Sequence, residues 1–217
     1  MRTRIKICGL TSPEEVSWAK GAGADAIGLV FYPPSARAIS VDRARNLYAS
    51  IPPFVTVTGL FMNAVKDEVT AAIHAARLDL LQFHGDETPE FCEAFDRPYI
   101  KTVPMGAGFD NEDSLANFLK DYAERYSGSL GLLLDSNALG EAGGTGEAFE
   151  WTKPADVGKP LILAGGLNPS NVATAIRAMT PYAVDVSSGV EKERGRKDRE
   201  LIEKFVQEVR LVDREYE

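Results

Sequence analysis

The sequence predicts an α/β fold in which residues 1–217 form a single-domain (βα)8 barrel, the TIM-barrel architecture. Short apolar or β-branched runs recur along the chain, and each is followed by a stretch with helical periodicity. These runs start roughly 20 to 31 residues apart, the length of one βα unit. No GxGxxG follows the first run, so a closed barrel is favoured over a doubly wound dinucleotide-binding sheet. With 217 residues, the chain has little room for a second domain.

Eight such runs give the predicted strands. They are Arg4–Cys8, Asp25–Val30, Val55–Leu60, Asp79–Phe83, Tyr99–Val103, Leu130–Leu134, Pro160–Leu163 and Ala183–Val186. Two intervening helices have readable starts: Ser12 precedes a proline and an acidic first turn, and a cap near Asn168 leads into Val172–Met179. Helices are also predicted over Ala64–Ala76 and Glu87–Phe95.

Composition and charge are those of an ordinary globular protein that folds in water. Hydrophobic residues make up 44% and charged residues 26% of the chain, near the averages of that class. The 24 Lys and Arg against 32 Asp and Glu give a net charge of −8, which disfavours nucleic acid as a partner. No window approaches the roughly 18 apolar residues of a membrane span, so no membrane association is expected. The basic stretch Lys192 to Arg199 is interrupted by acidic residues and is expected to be a solvated loop.

The two cysteines, Cys8 and Cys92, form no CxxC pair and belong to no Cys/His cluster. Neither a disulfide framework nor a thiolate zinc site is therefore predicted. The expected location is the reducing cytoplasm, and no metal or other cofactor is expected.

Two glycine-containing loops indicate a phosphate site. In a (βα)8 barrel the active site is built from the loops that follow the strands. Gly165-Gly166 follows the seventh strand and Ser187-Ser188-Gly189 follows the eighth. Backbone N–H groups and a helix N-terminus there can bind an anion, at the place where barrels bind phosphate. One glycine pair alone is equally well a tight turn, but two loops in the expected places favour phosphate.

Two strand ends carry candidates for acid–base chemistry. Cys8 closes the first strand, where a thiolate could act as nucleophile or general base, although a small buried hydrophobe is the alternative. Cys92 lies within a predicted helix and is expected to be such a core residue. Asp135 ends an apolar run, where a carboxyl can have a raised pKa and act as general acid, or can simply cap the next loop.

Three further polar residues occupy strand ends or loops. Arg37 lies in a loop stiffened by two prolines, and its guanidinium suits a carboxylate or a phosphate, unless it is merely exposed. His84, at the end of the fourth strand, could donate to or pack on a substrate. Asp185 is flanked by valines within the eighth strand, so it needs a partner inside the barrel or at its mouth.

Taken together, these segments resemble the phosphoribosylanthranilate isomerase family. The resemblance extends from the first strand to Asp198, nearly the whole chain, and its specificity comes from the ordered combination of short motifs. Thr58 stands where the family more often has Val, and the loop 193–196 is more charged than usual. The matching segments are Lys6–Thr11, Ala24–Phe31, Ser35–Arg37, Thr58–Asn63, Leu81–Glu87, Leu134–Ser136, Gly143–Gly146, Leu163–Asn168 and Asp185–Glu191.

The resemblance implies an Amadori rearrangement in tryptophan biosynthesis, in which N-(5-phosphoribosyl)anthranilate becomes the 1-deoxyribulose 5-phosphate ketose derivative. It implies Cys8 as general base, Asp135 as general acid and Arg37 on the anthranilate carboxylate. No cofactor is implied, and the state of assembly is left as monomer or homodimer. The full set of expected substrate-binding residues is Arg37, His84, Gly144, Gly165, Gly166, Asp185, Ser187, Ser188 and Gly189.

The assigned roles require altered protonation, and two alternatives stay open. A free thiol with a pKa near ~8.5 is mostly protonated at neutral pH and a free aspartate near ~3.9 is mostly ionised, so both pKa values are expected to shift toward neutrality. A related histidine-pathway sugar isomerase would more naturally carry a carboxylate pair than Cys8 with Asp135. A catalytically silent phosphometabolite-binding protein would keep the phosphate loops but would not need Cys8 and Asp135.

Overall fold

A computed structural model describes residues 2–105, 112–135 and 156–216. Within them, eight parallel strands pair in chain order, and the last pairs with the first, so the sheet closes into a barrel. The predicted fold class is therefore confirmed. The strands are β1 (Arg4–Cys8), β2 (Ala26–Val30), β3 (Thr56–Phe61), β4 (Leu80–Phe83), β5 (Tyr99–Pro104), β6 (Gly131–Asp135), β7 (Leu161–Leu163) and β8 (Ala183–Val186).

All eight predicted strands are confirmed, with ends that differ by no more than one residue. Two of the differences have a clear cause. The sequence predicts Asp25 and Asp79 inside strands, but each lies just before its strand. Each carboxylate accepts a hydrogen bond from a backbone N–H of the neighbouring strand. The Ile5 N–H donates to Asp25 at 2.9 Å, and the Val57 N–H donates to Asp79 at 2.8 Å. These carboxylates satisfy N–H groups near the strand starts.

Seven α-helices lie in the described part of the chain, and a short β9–β10 hairpin (Glu191–Glu193 and Arg196–Lys197) precedes the last one. None of these helices is both long and apolar enough to cross a bilayer. The helices are α1 (Pro13–Ala22), α2 (Val41–Tyr48), α3 (Lys66–Ala76), α4 (Pro89–Glu93), α5 (Glu112–Arg125), α6 (Val172–Met179) and α7 (Arg199–Glu215).

The helix starts show which capping predictions hold. Ser12 caps α1 as predicted, by accepting a hydrogen bond from the Glu15 N–H. Helix α6 begins at Val172 as predicted, with Asn171 at its N-cap, while Asn168 accepts from the Ser170 N–H in the preceding turn. Helix α4 begins two residues later than predicted because Thr88 provides its N-cap and a proline follows at the first helical position, and it ends at Glu93.

Alternation along β1 separates the core from the interior of the barrel. Ile5 and Ile7 point outward into the main hydrophobic core beneath the helices. Lys6 and Cys8 point to the opposite face, inside the closed sheet. Cys8 is the last residue of β1, so its thiol lies on the interior face at the carboxyl mouth of the barrel.

Candidate active site

A cleft opens at the carboxyl mouth of the barrel, where the sequence places the candidate residues. It brings together side chains and loops from seven strands. Gly189 lies beside this cleft, and Gly144 lies outside the described residues. The predicted site residues that line the cleft are Cys8, Arg37, His84, Asp135, Gly165, Gly166, Asp185, Ser187 and Ser188.

Cys8 is almost fully buried, with 4% of its surface exposed. Burial raises the pKa of its thiol, and the carboxylate of Asp185 adds to that effect, while the ammonium groups of Lys6 and Lys197 oppose it. The expectation of a lowered thiol pKa is therefore wrong, because desolvation outweighs the positive charges.

Asp185 has its expected partner inside the barrel. Lys6 Nζ donates to both carboxylate oxygens at 3.0 Å, and the two residues are register partners on the adjacent strands β1 and β8. Burial acts to lower the pKa of Lys6, but Asp185 and Cys8 outweigh it and raise that pKa, so the lysine is charged. Sequence reasoning missed Lys6, although its position two residues before Cys8 on one strand puts both on the same face.

Asp135 and His84 meet on the other side of the cleft. Asp135 ends β6 and is 7% exposed, and its Oδ2 lies 3.6 Å from His84 Nε2. Burial, helped by the charge of Lys101, lowers the pKa of His84 to about 4, so the ring is neutral. Thr102 Oγ1 lies 3.1 Å from His84 Nδ1. When that hydroxyl donates to Nδ1, the ring proton is on Nε2 and faces the Asp135 carboxyl.

Arg37 is buried, so it is not the exposed loop arginine that the sequence left open. Its Nε and Nη2 donate to the two carboxylate oxygens of Glu191, at 2.7 and 2.9 Å. Burial acts to raise the pKa of Glu191, but the hydrogen bonds and charges of Arg37 and Lys197 lower it to about 2. Glu191 thus holds one edge of the Arg37 guanidinium in place. Arg37 also lines the cleft.

Lys197 links the Arg37 side of the cleft to the loop after β8. Its ammonium donates to Glu191 at 2.7 Å and to the backbone oxygen of Ser187 at 3.0 Å. The Ser187 hydroxyl in turn donates to the Cys8 carbonyl at 3.1 Å. The prediction of a solvated loop is wrong at Lys197, whose side chain is fully buried because these acceptors surround it. Its neighbours in the basic stretch gave no signal that would single it out.

The two loops need glycine for different reasons, a left-handed backbone in the first and a close backbone contact in the second. Gly165 and Gly166 have φ angles of 76° and 65°, in the left-handed region. At Gly189 an added Cβ would lie 1.9 Å from the carbonyl oxygen of Leu167. The loop after β8 therefore packs backbone against backbone on the loop after β7.

The fold and the site define an enzyme of the (βα)8-barrel class with its ionisable groups at the carboxyl mouth. A family model described as N-(5'phosphoribosyl)anthranilate (PRA) isomerase matches residues 5–208. The chain belongs to this isomerase family.

Individual relatives agree with that assignment. The chain is 51% identical to N-(5'-phosphoribosyl)anthranilate isomerase of Acidithiobacillus ferrooxidans, over 95% of this chain and 97% of the relative. It is also similar to the crystal structure of phosphoribosyl anthranilate isomerase from Thermotoga maritima, with a TM-score of 0.83 and 36% identity over 96% of this chain and 98% of that one. A further crystal structure, described as phosphoribosyl anthranilate isomerase, holds reduced 1-(o-carboxyphenylamino)-1-deoxyribulose 5-phosphate, with a TM-score of 0.78 and 35% identity over the same shares.

Proposed function

We propose that the chain catalyses the Amadori rearrangement of N-(5-phosphoribosyl)anthranilate to 1-(2-carboxyphenylamino)-1-deoxyribulose 5-phosphate, a step of tryptophan biosynthesis, by general acid–base catalysis. The observation that carries the proposal is the placement of Cys8 and Asp135. They end β1 and β6, line one cleft, and are separated around the barrel by β7 and β8 with their glycine-containing loops. The similarity to a protein crystallised with the reduced product supports the same choice of substrate.

The reaction needs an acid and a base that act on different atoms of one substrate. Asp135 donates a proton to the furanose ring oxygen, the C1′–O bond breaks, and the lone pair of the anthranilate nitrogen forms the C1′=N bond. The Cys8 thiolate then removes the C2′ proton, which gives the enolamine as the C=N electrons return to nitrogen. Proton transfer from the C2′ hydroxyl to C1′ yields the ketose, and the proton taken up by Cys8 returns to Asp135 through solvent, which restores the starting enzyme. The substrate nitrogen is the electron sink, so the proposal includes no cofactor.

The rest of the cleft supplies binding groups. The loops that carry Gly165 and Ser187 would hold the phosphate through backbone N–H groups. Arg37 would bind the anthranilate carboxylate, and neutral His84 would donate to the substrate beside Asp135. The enzyme would work in the cytoplasm, where its two free, buried cysteines stay reduced, as a monomer or a homodimer.

The direct test is a fluorescence assay with freshly made phosphoribosylanthranilate in the presence of EDTA. The proposal requires a protein-dependent loss of substrate fluorescence with formation of the carboxyphenylamino ketose. A failure to accelerate this conversion would leave a phosphometabolite-binding protein as the better interpretation. The aminoaldose of the histidine pathway, assayed in parallel, tests the related isomerase activity.

Arg37→Lys is expected to weaken transition-state binding by about 1.5–3 kcal/mol, the range for hydrogen bonds to a charged group. Lysine keeps the charge but loses the planar donors that hold Glu191 on one edge and serve the cleft. The measurement is kcat/KM with the natural substrate. Arg43→Lys is the matched control, because Arg43 is exposed and donates to the Thr11 carbonyl away from the cleft.

A substrate analogue built on aniline separates carboxylate binding from any effect on loop structure. It lacks the carboxylate, so wild-type protein should use it poorly and Arg37→Lys should cost little more. An equal loss with both substrates would mean that Arg37 acts through Glu191 and the loop conformation.

A further inference from the structure

Lys6, Cys8 and Asp185 form a buried group at the floor of the cleft. Lys6 and Cys8 are two residues apart on β1 and share the interior face, and Asp185 is the register partner of Lys6 on β8. The Lys6 ammonium donates to both Asp185 oxygens at 3.0 Å, and less than a tenth of either side chain is exposed. An ion pair this deep loses most of its hydration, so its presence needs an explanation beyond stability.

Gly28 provides the space that brings the ammonium close to the thiol. It is the register partner of Cys8 on β2. A Cβ at this position would lie 2.6 Å from Cys8 Sγ and 3.1 Å from Lys6 Nζ. The sulfur and the ammonium nitrogen therefore border the same small volume, and any side chain at Gly28 would push them apart.

The charges around Cys8 are unequal in their effect. Lys6 is the strongest of the charges that favour the thiolate, Lys197 from the β9–β10 hairpin adds to it, and Asp185 opposes both. Asp185 accepts from Lys6 at 3.0 Å and favours its charge in spite of its burial, and the Cys8 thiolate also favours that charge once it forms. The other ionisable side chains that line the cleft are Tyr32 and Arg37 from the loop after β2, His84 after β4 and Asp135 at the end of β6.

We propose that Lys6 is a positioning residue for the base: its ammonium, fixed by Asp185, supplies the positive charge against which the Cys8 thiolate forms. Lys6 transfers no proton and touches no substrate atom in this proposal. The inference rests on the proposed function in taking Cys8 as the base. It adds that the Lys6–Asp185 pair makes the thiolate accessible in a buried site.

The test is a titration of the Cys8 thiolate by its ultraviolet absorbance, without substrate, in protein that carries Cys92→Ala so that one thiol remains. The matching protein with Cys8→Ala as well supplies the tyrosine background. Asp185→Asn should move the titration to lower pH, because the opposing carboxylate is removed while Lys6 remains. Adding Lys6→Met to Asp185→Asn should move it back to higher pH by at least about one unit, the shift expected for a charge this close.

The double substitution protects the comparison against misfolding. Lys6→Met alone would strand a buried carboxylate, whereas the double variant removes both partners of the pair together. The matched control is Lys101→Met with Glu87→Gln, which removes another buried lysine–carboxylate pair, with Nζ and Oε2 3.4 Å apart, from the outer side of β5. This control should leave the titration of Cys8 at its wild-type position.

Two outcomes would overturn the inference: coincident titrations of Asp185→Asn with and without Lys6→Met, or an equal shift in the Lys101 control. The titration needs no turnover, so its result is independent of the isomerase assay. If the Cys8 titrations shift as expected in a protein without isomerase activity, the proposed function is rejected and the effect of Lys6 on the Cys8 thiolate stands. Unchanged titrations in an active isomerase would do the reverse.

Discussion

Replacing Cys8 by alanine should lower kcat by at least about 10²-fold, the lower end of what a general base contributes. Alanine cannot take the C2′ proton, and no other described side chain occupies the position of the sulfur at the end of β1. The substitution removes a single heavy atom from a site that already adjoins the cleft, so the fold should persist. The measurement is turnover in the fluorescence assay, together with circular dichroism to verify folding.

Cys92→Ala provides the matched control for that experiment. Cys92 is also fully buried, but it lies in α4 on the outer side of the barrel, away from the cleft. Its loss should affect stability through packing and leave turnover near the wild-type value. Wild-type turnover in folded Cys8→Ala would reject Cys8 as the base.

The strands were predictable because local sequence determines them. Each β-branched or apolar run, such as Leu130–Leu134 or Ala183–Val186, is short and is separated from the next by a helical stretch or a turn, and that order leaves few alternatives to a closed parallel barrel. The position of the site followed from the same argument, because strand ends in a barrel meet at one mouth. Cys8, His84 and Asp135 were found in this way without any information on contacts.

The ion pairs of the site were not predictable, because they join residues far apart in the chain. Lys6 and Asp185 become neighbours only when β8 closes on β1, and Arg37 meets Glu191 only when the β9–β10 hairpin folds back beside the cleft. Strand alternation indicates which face a residue occupies but not which charge it meets. The direction of the Cys8 pKa was mispredicted for a related reason, since burial inside the barrel depends on all eight strands.

The protonation states that Cys8 and Asp135 need fix the sign of each limb of the pH profile. The base acts as the thiolate, so activity must fall as pH decreases and Cys8 becomes protonated. The acid acts in its protonated form, so activity must fall as pH rises and Asp135 ionises. Together these requirements give a bell-shaped dependence of kcat/KM on pH, whose two apparent pKa values belong to the pair.

Asp135→Asn should lower kcat by at least about 10²-fold and abolish the decline of kcat/KM at high pH. Asparagine keeps the shape and a polar contact with His84 but has no proton to give to the ring oxygen, so the amide leaves only Cys8 to titrate. The profile of the variant should rise with pH and then stay level, whichever of the two groups has the higher pKa. Kinetics over the range in which the protein is folded provide the measurement.

Asp156→Asn is the matched control, since Asp156 is an exposed aspartate that accepts from the Gly158 N–H outside the cleft. It should keep both the rate and the bell shape of the wild-type protein. An unaltered decline at high pH in Asp135→Asn would mean that another group protonates the ring oxygen. His84, whose Nε2 lies 3.6 Å from the Asp135 carboxyl, would then be the next residue to replace.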